Sequence, residues 1–595
     1  MNIPQMVSKA KSRDNQTTFL GYNHNLINGA NEFYDMKNMT GDFCPIMSPR
    51  PSRAKLDISF KNPQGLLAKG ALAWVDDDYF WYGGRRIDPK LPELDEEKYK
   101  SGRQLVSMGA YIVIWPDKYR YNTANGEFIS LEAEWKATGA VNLSICKMDG
   151  EDITAEGREL TKKPDEPQNG DWWIDTSGSS DVLKCYSEAT EEWVSVATTY
   201  VKITATGIGA NFDKLDAVKI NGALKDYGIE AGTYPIWSKG DNYIVITALI
   251  RAGGTVERDP DNPLTLKREI PDLDYIVESE NRIWGCRWYG ETNGIYACAT
   301  GDAKNWNKFI GTSQDSYALS VGSDGVFTGA AVQQGYVMFF KENVIHKVYG
   351  SKPSNYQITN VTGRGIARGS DKSAVIVNEV LYYLSKNGVC QYGGGTPSGI
   401  YSPFGNEKYS DGVAGKAGDK YYISMKNRKG KYSLFCFDEN LNMWFKEDDT
   451  RVKFFAEDKG NLYFIDGNND LWVADADNYD EEYAHIAKRE GNFEWFAETG
   501  DIGIQEPDCK WYSEIQIRLS MSAGTTVKVW TQHDSDGEWI EQAQLTNEPK
   551  GAYTINFHTP KVDHIKIKIG GNGEAKIYSI SKYYEQGSEA RGNGY

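Results

Sequence analysis

The sequence predicts an all-β chain: a β-propeller interrupted by one or more inserted small β domains and followed by a C-terminal β-sandwich. Three observations carry this. Long helical periodicity is scarce while Gly-, Asn- and Asp-containing turns recur throughout. A hairpin motif, an apolar stretch running through a tight polar turn into an aromatic stretch, returns about every 40 residues. After about residue 493 the pattern changes to strict alternation of apolar and polar residues.

The clearest hairpins are Leu72-Ala73-Trp74-Val75 turning at Asp76–Asp78 into Tyr79-Phe80-Trp81-Tyr82, and Val337–Phe340 turning at Lys341–Asn343 into Val344–Val348. Val375–Val377 turns at Asn378-Glu379, and Phe454–Ala456 turns at Glu457–Gly460. With related turns near Asp117, Glu280 and Asp419, the turns centre on 77, 117, 280, 342, 379, 419 and 459, and four of the six intervals span 37 to 41 residues. A hairpin repeat of that length is the size of a propeller blade, and six to eight blades are expected. An ordinary β-sandwich with evenly spaced hairpins is the alternative.

In chain order, residues 1–64 read as an extended arm, broken by Pro45, Pro49, Pro51 and Pro63 and carrying a small basic patch at Arg50, Arg53 and Lys55. Residues 65–132 read as the first part of the propeller. Residues 133–268 lose the repeat and read as inserted small β domains, with a polar linker at Lys162–Gly170 and aromatic strands around Trp172-Trp173 and Trp193. The propeller resumes over 269–490. The alternation of Ile515, Ile517 and Leu519 with polar neighbours, and of Ile565, Ile567 and Ile569 with lysines, makes 491–585 a sandwich with one solvated side per sheet. Residues 586–595 read as a flexible polar tail.

Charge and cysteine usage bound the chemistry. The net charge is −17, so the surface does not wrap nucleic acid by neutralising phosphates, yet it lets a polyanion pass without adsorbing. The eight cysteines include no CxxC pair and are expected as free buried thiols of a reducing cytosol rather than disulfides. Met1 to Thr18 is polar with no apolar signal core, and no apolar run is long enough to span a membrane.

Catalytic motifs are sparse. Of the six histidines only His558 and His564 are close, and no zinc-binding spacing, P-loop, nucleophile elbow or complete dinucleotide fingerprint occurs. The loop Gly363-Arg364-Gly365-Ile366-Ala367-Arg368-Gly369-Ser370 has the glycines of a phosphate cradle but no Lys-Ser/Thr pair and no following helix, so it reads as a connection between blades. Ser535–Trp539 faintly resembles the turn repeated in sialidase propellers, and reads as a hairpin turn packed by a tryptophan. Asp475, Asp477 and Asp480 lack the glycine and closing glutamate of a calcium loop. The expectation is a protein with no enzymatic activity, no cofactor and no metal.

Three segments in order carry a family resemblance: Asp35–Thr40 with Cys44–Pro51; Asn281–Cys286, Gly294–Cys298 and Gly301–Trp306; and Tyr382–Tyr392. The chain resembles the tail nozzle or hub proteins of short-tailed bacteriophages, the packaged-DNA stabilisation family, over about 30–130 and 270–590. The resemblance implies a structural virion protein forming a ring, usually of six copies, below the portal and adaptor. Such a ring retains packaged double-stranded DNA and conducts it during ejection, with tail fibre or plug proteins as further neighbours. It also implies location in the virion tail after synthesis in the host cytoplasm. Arg364 and Arg368 are the candidate DNA-channel contacts, and the N-terminal arm and the sandwich the candidate ring contacts. The alternative is a receptor- or glycan-binding tail protein, and behind it a glycan-degrading enzyme.

Overall fold

A computed structural model describes residues 11–587 except 30, 96–98, 100–101, 154–159, 222–223, 290–291, 479–480, 507 and 547–549. The protein is all-β and propeller-like: its elements are strands and a few short 3-10 turns. Six four-stranded antiparallel meanders follow in chain order among the described residues, over 63–87, 104–130, 275–321, 329–362, 375–399 and 409–448, and a seventh sheet over 452–473 is completed to five strands by Ala54–Ser59 and Ala487–Arg489.

The turn chemistry explains these meanders. The first hairpin of each sheet turns at Gly70, Gly109, Glu280-Asn281, Gln334-Gly335, Asn378-Glu379, Gly418 and Lys459-Gly460, each with positive φ. Left-handed turn residues match the right-handed twist of the strands they join. The sequence motif thus mixed two phases. The turns at 280, 379, 419 and 459 join first and second strands, whereas those at 77, 117 and 342 join second and third. Inner strands such as Leu72–Asp76, Tyr336–Phe340 and Asn461–Asp466 are buried almost continuously, which is why they read as unbroken apolar runs.

The chain divides into two compact units. The larger comprises 1–102, 327–347 and 359–595. It holds the first, fifth, sixth and seventh sheets, most of the fourth, and the sandwich. One sandwich sheet has the order Ser12–Gln16, Ala575–Gln586, Lys510–Met521, Lys550–Asn556; the other has Phe33–Lys37, Glu494–Thr499, Ile565–Asn572, Thr526–His533, Ile540–Thr546. Ile515, Ile517, Leu519, Val527, Val529 and Ile567 fill the space between them. That core runs on into Phe404 of the turn Ser402–Phe404 and into Phe435 and Trp444 of the sixth sheet, so sandwich and sheet share one apolar interior.

The smaller unit comprises 103–326 and 348–358. It holds the second and third sheets and the insertion. The insertion forms one four-stranded, one five-stranded and one three-stranded sheet around Leu143, Ile174, Val201, Ile244 and Leu266. Asn305, beyond the third sheet's strand Thr292–Ala297, anchors it: its amide donates to Asp216 Oδ1 (3.0 Å), and its carbonyl oxygen accepts the Ala217 N–H (2.9 Å). Asp216 also receives Arg268 at 2.5 Å.

Two sequence expectations change. The described part of 1–64 is not an extended arm: Ser12–Gln16 and Phe33–Lys37 complete the two sandwich sheets, and Ala54–Ser59 pairs with Asp470–Val473. Its prolines break the strands into short pieces without preventing pairing. The basic patch also turns inward. Arg50 forms a bidentate pair with Glu490 (2.9 and 3.1 Å), and Arg53 meets Glu447 (2.5 Å) and Asp448 (2.7 Å). Of the proposed tail, Gln586 ends a strand and the Gly587 N–H donates to the Cys509 carbonyl; 588–595 lie outside the described residues.

Candidate functional site

The loop 363–370 is stitched down on both sides. The N–H groups of Gly363 and Gly365 donate to the carbonyls of Asn343 and Glu342, each at 3.0 Å, and the Ala367 N–H donates to the Leu384 carbonyl at 2.9 Å. Gly365 is required by this approach: a Cβ there would lie 1.8 Å from the Lys341 carbonyl oxygen. Ile366, fully buried, plugs the core formed by Phe340, Leu381 and Tyr383. The amides that would cradle a phosphate are therefore already occupied.

What the loop carries outward is its two arginines. Arg364 and Arg368 are both exposed. The Arg364 guanidinium lies 5.6 Å from the centre of the Tyr401 ring, and the Lys408 ammonium lies 5.7 Å from the same ring. Arg368 has a loose ion pair with Glu342 at 3.8 Å, and its side chain is 67 % exposed. The fold so places two guanidiniums and an ammonium near one rigid loop, a sparse set of point charges suited to phosphate oxygens.

A second constellation was not legible in the sequence. On the sandwich, Ser535 Oγ lies 3.0 Å from His564 Nε2, and His564 Nδ1 lies 3.0 Å from Asp563 Oδ2. Ser535 Oγ also donates to Asp501 Oδ1 at 2.7 Å. Ser535 and the preceding Asp534 both have positive φ, and Asp534 Oδ1 accepts the N–H groups of Asp563 and His564. A hydroxyl, an imidazole and a carboxylate in hydrogen-bonded sequence is the arrangement that activates serine nucleophiles. Here the serine proton is directed to a second carboxylate, Asp501, while Asp534 ties the turn to the residues that lead into the strand Ile565–Asn572. The Ser535–Trp539 turn was the only local signal. Its partners come from other hairpins, so no short motif could reveal them.

No group of three or more His, Cys, Asp and Glu able to hold a metal occurs among the described residues. Asp480 lies outside them. None of the eight cysteines is in a disulfide. No helix among the described residues is long and apolar enough to cross a membrane.

No protein-family model and no curated protein matches the chain. Solved structures similar to it include an exo-β-1,3-galactanase from Phanerochaete chrysosporium, 8% identical over 52% of this chain and 95% of that one, with a TM-score of 0.21. BamB from Moraxella catarrhalis is 11% identical over 64% of this chain and 95% of its own, TM-score 0.24. A family 43 arabinoxylan arabinofuranohydrolase from Bacillus subtilis is 10% identical over 51% and 95%, TM-score 0.15. These likenesses concern the fold and bring no activity to this chain. They do correct one expectation. Glycoside hydrolases stand among the similar structures, and the chain itself brings Ser535 together with the adjacent pair Asp563-His564 of another segment. The absence of a local catalytic motif therefore does not exclude enzymatic activity.

Proposed function

We propose that this chain is a subunit of a bacteriophage tail nozzle or hub. Copies assemble into a ring, six by the family resemblance, below the portal and adaptor proteins. The ring retains packaged double-stranded DNA and conducts it during ejection; tail fibre or plug proteins contact it in the virion tail.

The observation that carries this reading is the order of the three resembling segments, Asp35–Pro51, Asn281–Trp306 and Tyr382–Tyr392. Two physical features support it. Each copy adds a net charge of −17, which keeps a sliding polyanion from adsorbing to the walls. Against that background Arg364 and Arg368 supply a few exposed cations at one loop. A closed ring requires heterologous contacts, and the N-terminal strands and the sandwich are the surfaces assigned to them.

Electron microscopy of the purified protein, with gold-labelled antibody on virions, tests the reading. Closed rings and label at the tail are expected. A protein that is monomeric in solution and unlabelled in virions would refute it.

A further inference from the structure

A cleft in the larger unit, beside the Arg50–Glu490 pair, is built like a ligand site. It has a volume of about 470 Å³, within the range of small-ligand pockets. One wall comes from Phe43 and Ser48–Ser52, a second from Asp477 and Arg489 beside the seventh sheet, and a third from the sandwich hairpins around Ser520–Ser522 and Glu574–Tyr578.

Its chemistry is specific in three ways. Phe43 is a large apolar side chain left 45% exposed at the cleft, and Tyr578 adds a second ring. The Lys576 ammonium lies 3.6 Å from the centre of the Phe43 ring and meets no carboxylate among the described residues. Ser48, in the wall, is 2% exposed, and its hydroxyl has no hydrogen-bond partner. Folding leaves that polar group unsatisfied, and an occupant or water must satisfy it.

The charges around the cleft cancel internally. Arg50 is held by Glu490, and Arg489 by Asp477 (2.6 and 3.2 Å). Lys576 and Glu574 make no ion pair with each other but cancel in the charge count, and the Glu574 carboxylate accepts the Ser522 hydroxyl (2.9 Å). A site with no net charge offers nothing to a polyanion such as DNA. It offers the Phe43 ring, one face of which Lys576 covers, and the Tyr578 ring for apolar C–H faces, and a rim of charged donors and acceptors for hydroxyl edges. The geometry points to a binding site for a neutral oligosaccharide, its pyranose rings packed on Phe43 and Tyr578 and its hydroxyls bonded to Lys576, Glu574 and Arg489. This site does not depend on the ring or the DNA channel, and it gives the protein a means to contact a cell-surface glycan.

Calorimetric titration of the full-length protein with chitohexaose, cellohexaose and maltohexaose tests it. Oligogalacturonate and a duplex oligonucleotide serve as charged controls. Saturable binding of at least one neutral hexaose is expected, weakened about tenfold or more by Phe43→Ala with no change in melting temperature. Glu574→Gln, at an exposed position, is expected to weaken the same interaction and guards against a folding defect in the first variant. Failure of all three hexaoses to bind overturns the site. So does binding that both variants leave intact, or preference for either charged control.

Discussion

Two pairs of arginines in this molecule have the same sequence signature and opposite environments. Arg50 and Arg53 stand three residues apart among prolines, and Arg364 and Arg368 four apart among glycines. The first pair is buried, with side chains 3% and 5% exposed, and neutralised by Glu490, Glu447 and Asp448 from a far part of the chain. The second pair projects from a loop whose backbone is fastened beneath it, with one loose carboxylate nearby. A basic cluster in sequence thus says nothing of where its charge is felt. Distant counterions decide that, and here they convert one cluster into a structural bolt and leave the other as surface charge.

The largest effect expected from this contrast is on stability. Arg53→Met leaves Glu447 and Asp448 buried without their cation, and should cost about 3–5 kcal/mol. Equilibrium urea unfolding followed by tryptophan fluorescence measures it. Arg364→Met and Arg368→Met should each stay within about 0.5 kcal/mol of the parent. If Arg53→Met is as mild as those two, the buried pair is not a bolt and the comparison fails.

Acid sharpens the same contrast. Burial alone would raise the Asp448 carboxyl, but Arg53, helped by Thr450 and Arg50, outweighs it and holds the group down at about 2. A carboxyl depressed by folding stabilises the native state above its unfolded value and loses that contribution as pH falls through the folded value. The window is therefore from about pH 4 down to about pH 2, and the contribution is on the order of 2 kcal/mol. In Asp448→Asn the part of the acid-induced loss that falls in this window should shrink. An unchanged pH–stability curve below pH 4 would assign the loss to other carboxylates.

These contrasts also mark what the sequence could and could not disclose. The blade hairpins were legible because left-handed turns demand Gly, Asn or Asp-rich sequence, as at Asn378-Glu379 and Lys459-Gly460, and because inner strands such as Asn461–Asp466 carry an unbroken apolar run, Leu462–Ile465. The phase was not, because second and third strands also join through short polar turns, as at Asp77-Asp78. The sandwich was legible from alternation in Ile515–Leu519. Its N-terminal strands were not: Ser12–Gln16 is polar and gains its place by pairing with Ala575–Gln586. The same non-locality hid the Ser535–His564–Asp563 cluster, since adjacency there depends on which hairpins the sandwich brings together.

The smallest expected effect concerns the exposed pair and the proposed conduit. If Arg364 and Arg368 touch phosphates in transit, any binding of free duplex DNA by the purified protein is weak and falls steeply with salt. Each phosphate contact contributes about one unit to the slope of log K against log salt, so the double variant Arg364→Gln/Arg368→Gln should lower that slope by about 2 per protomer. Its melting curve should match the parent's, since the loop is held by the backbone bonds of Gly363, Gly365 and Ala367 and by Ile366 rather than by the guanidiniums. Fluorescence anisotropy with a labelled duplex over a salt series measures both affinity and slope. An unchanged slope would remove these arginines from the channel. Tight binding that persists at high salt in the parent would argue against an acidic conduit altogether, because walls of net negative charge have no means of holding a polyanion once its counterions are screened.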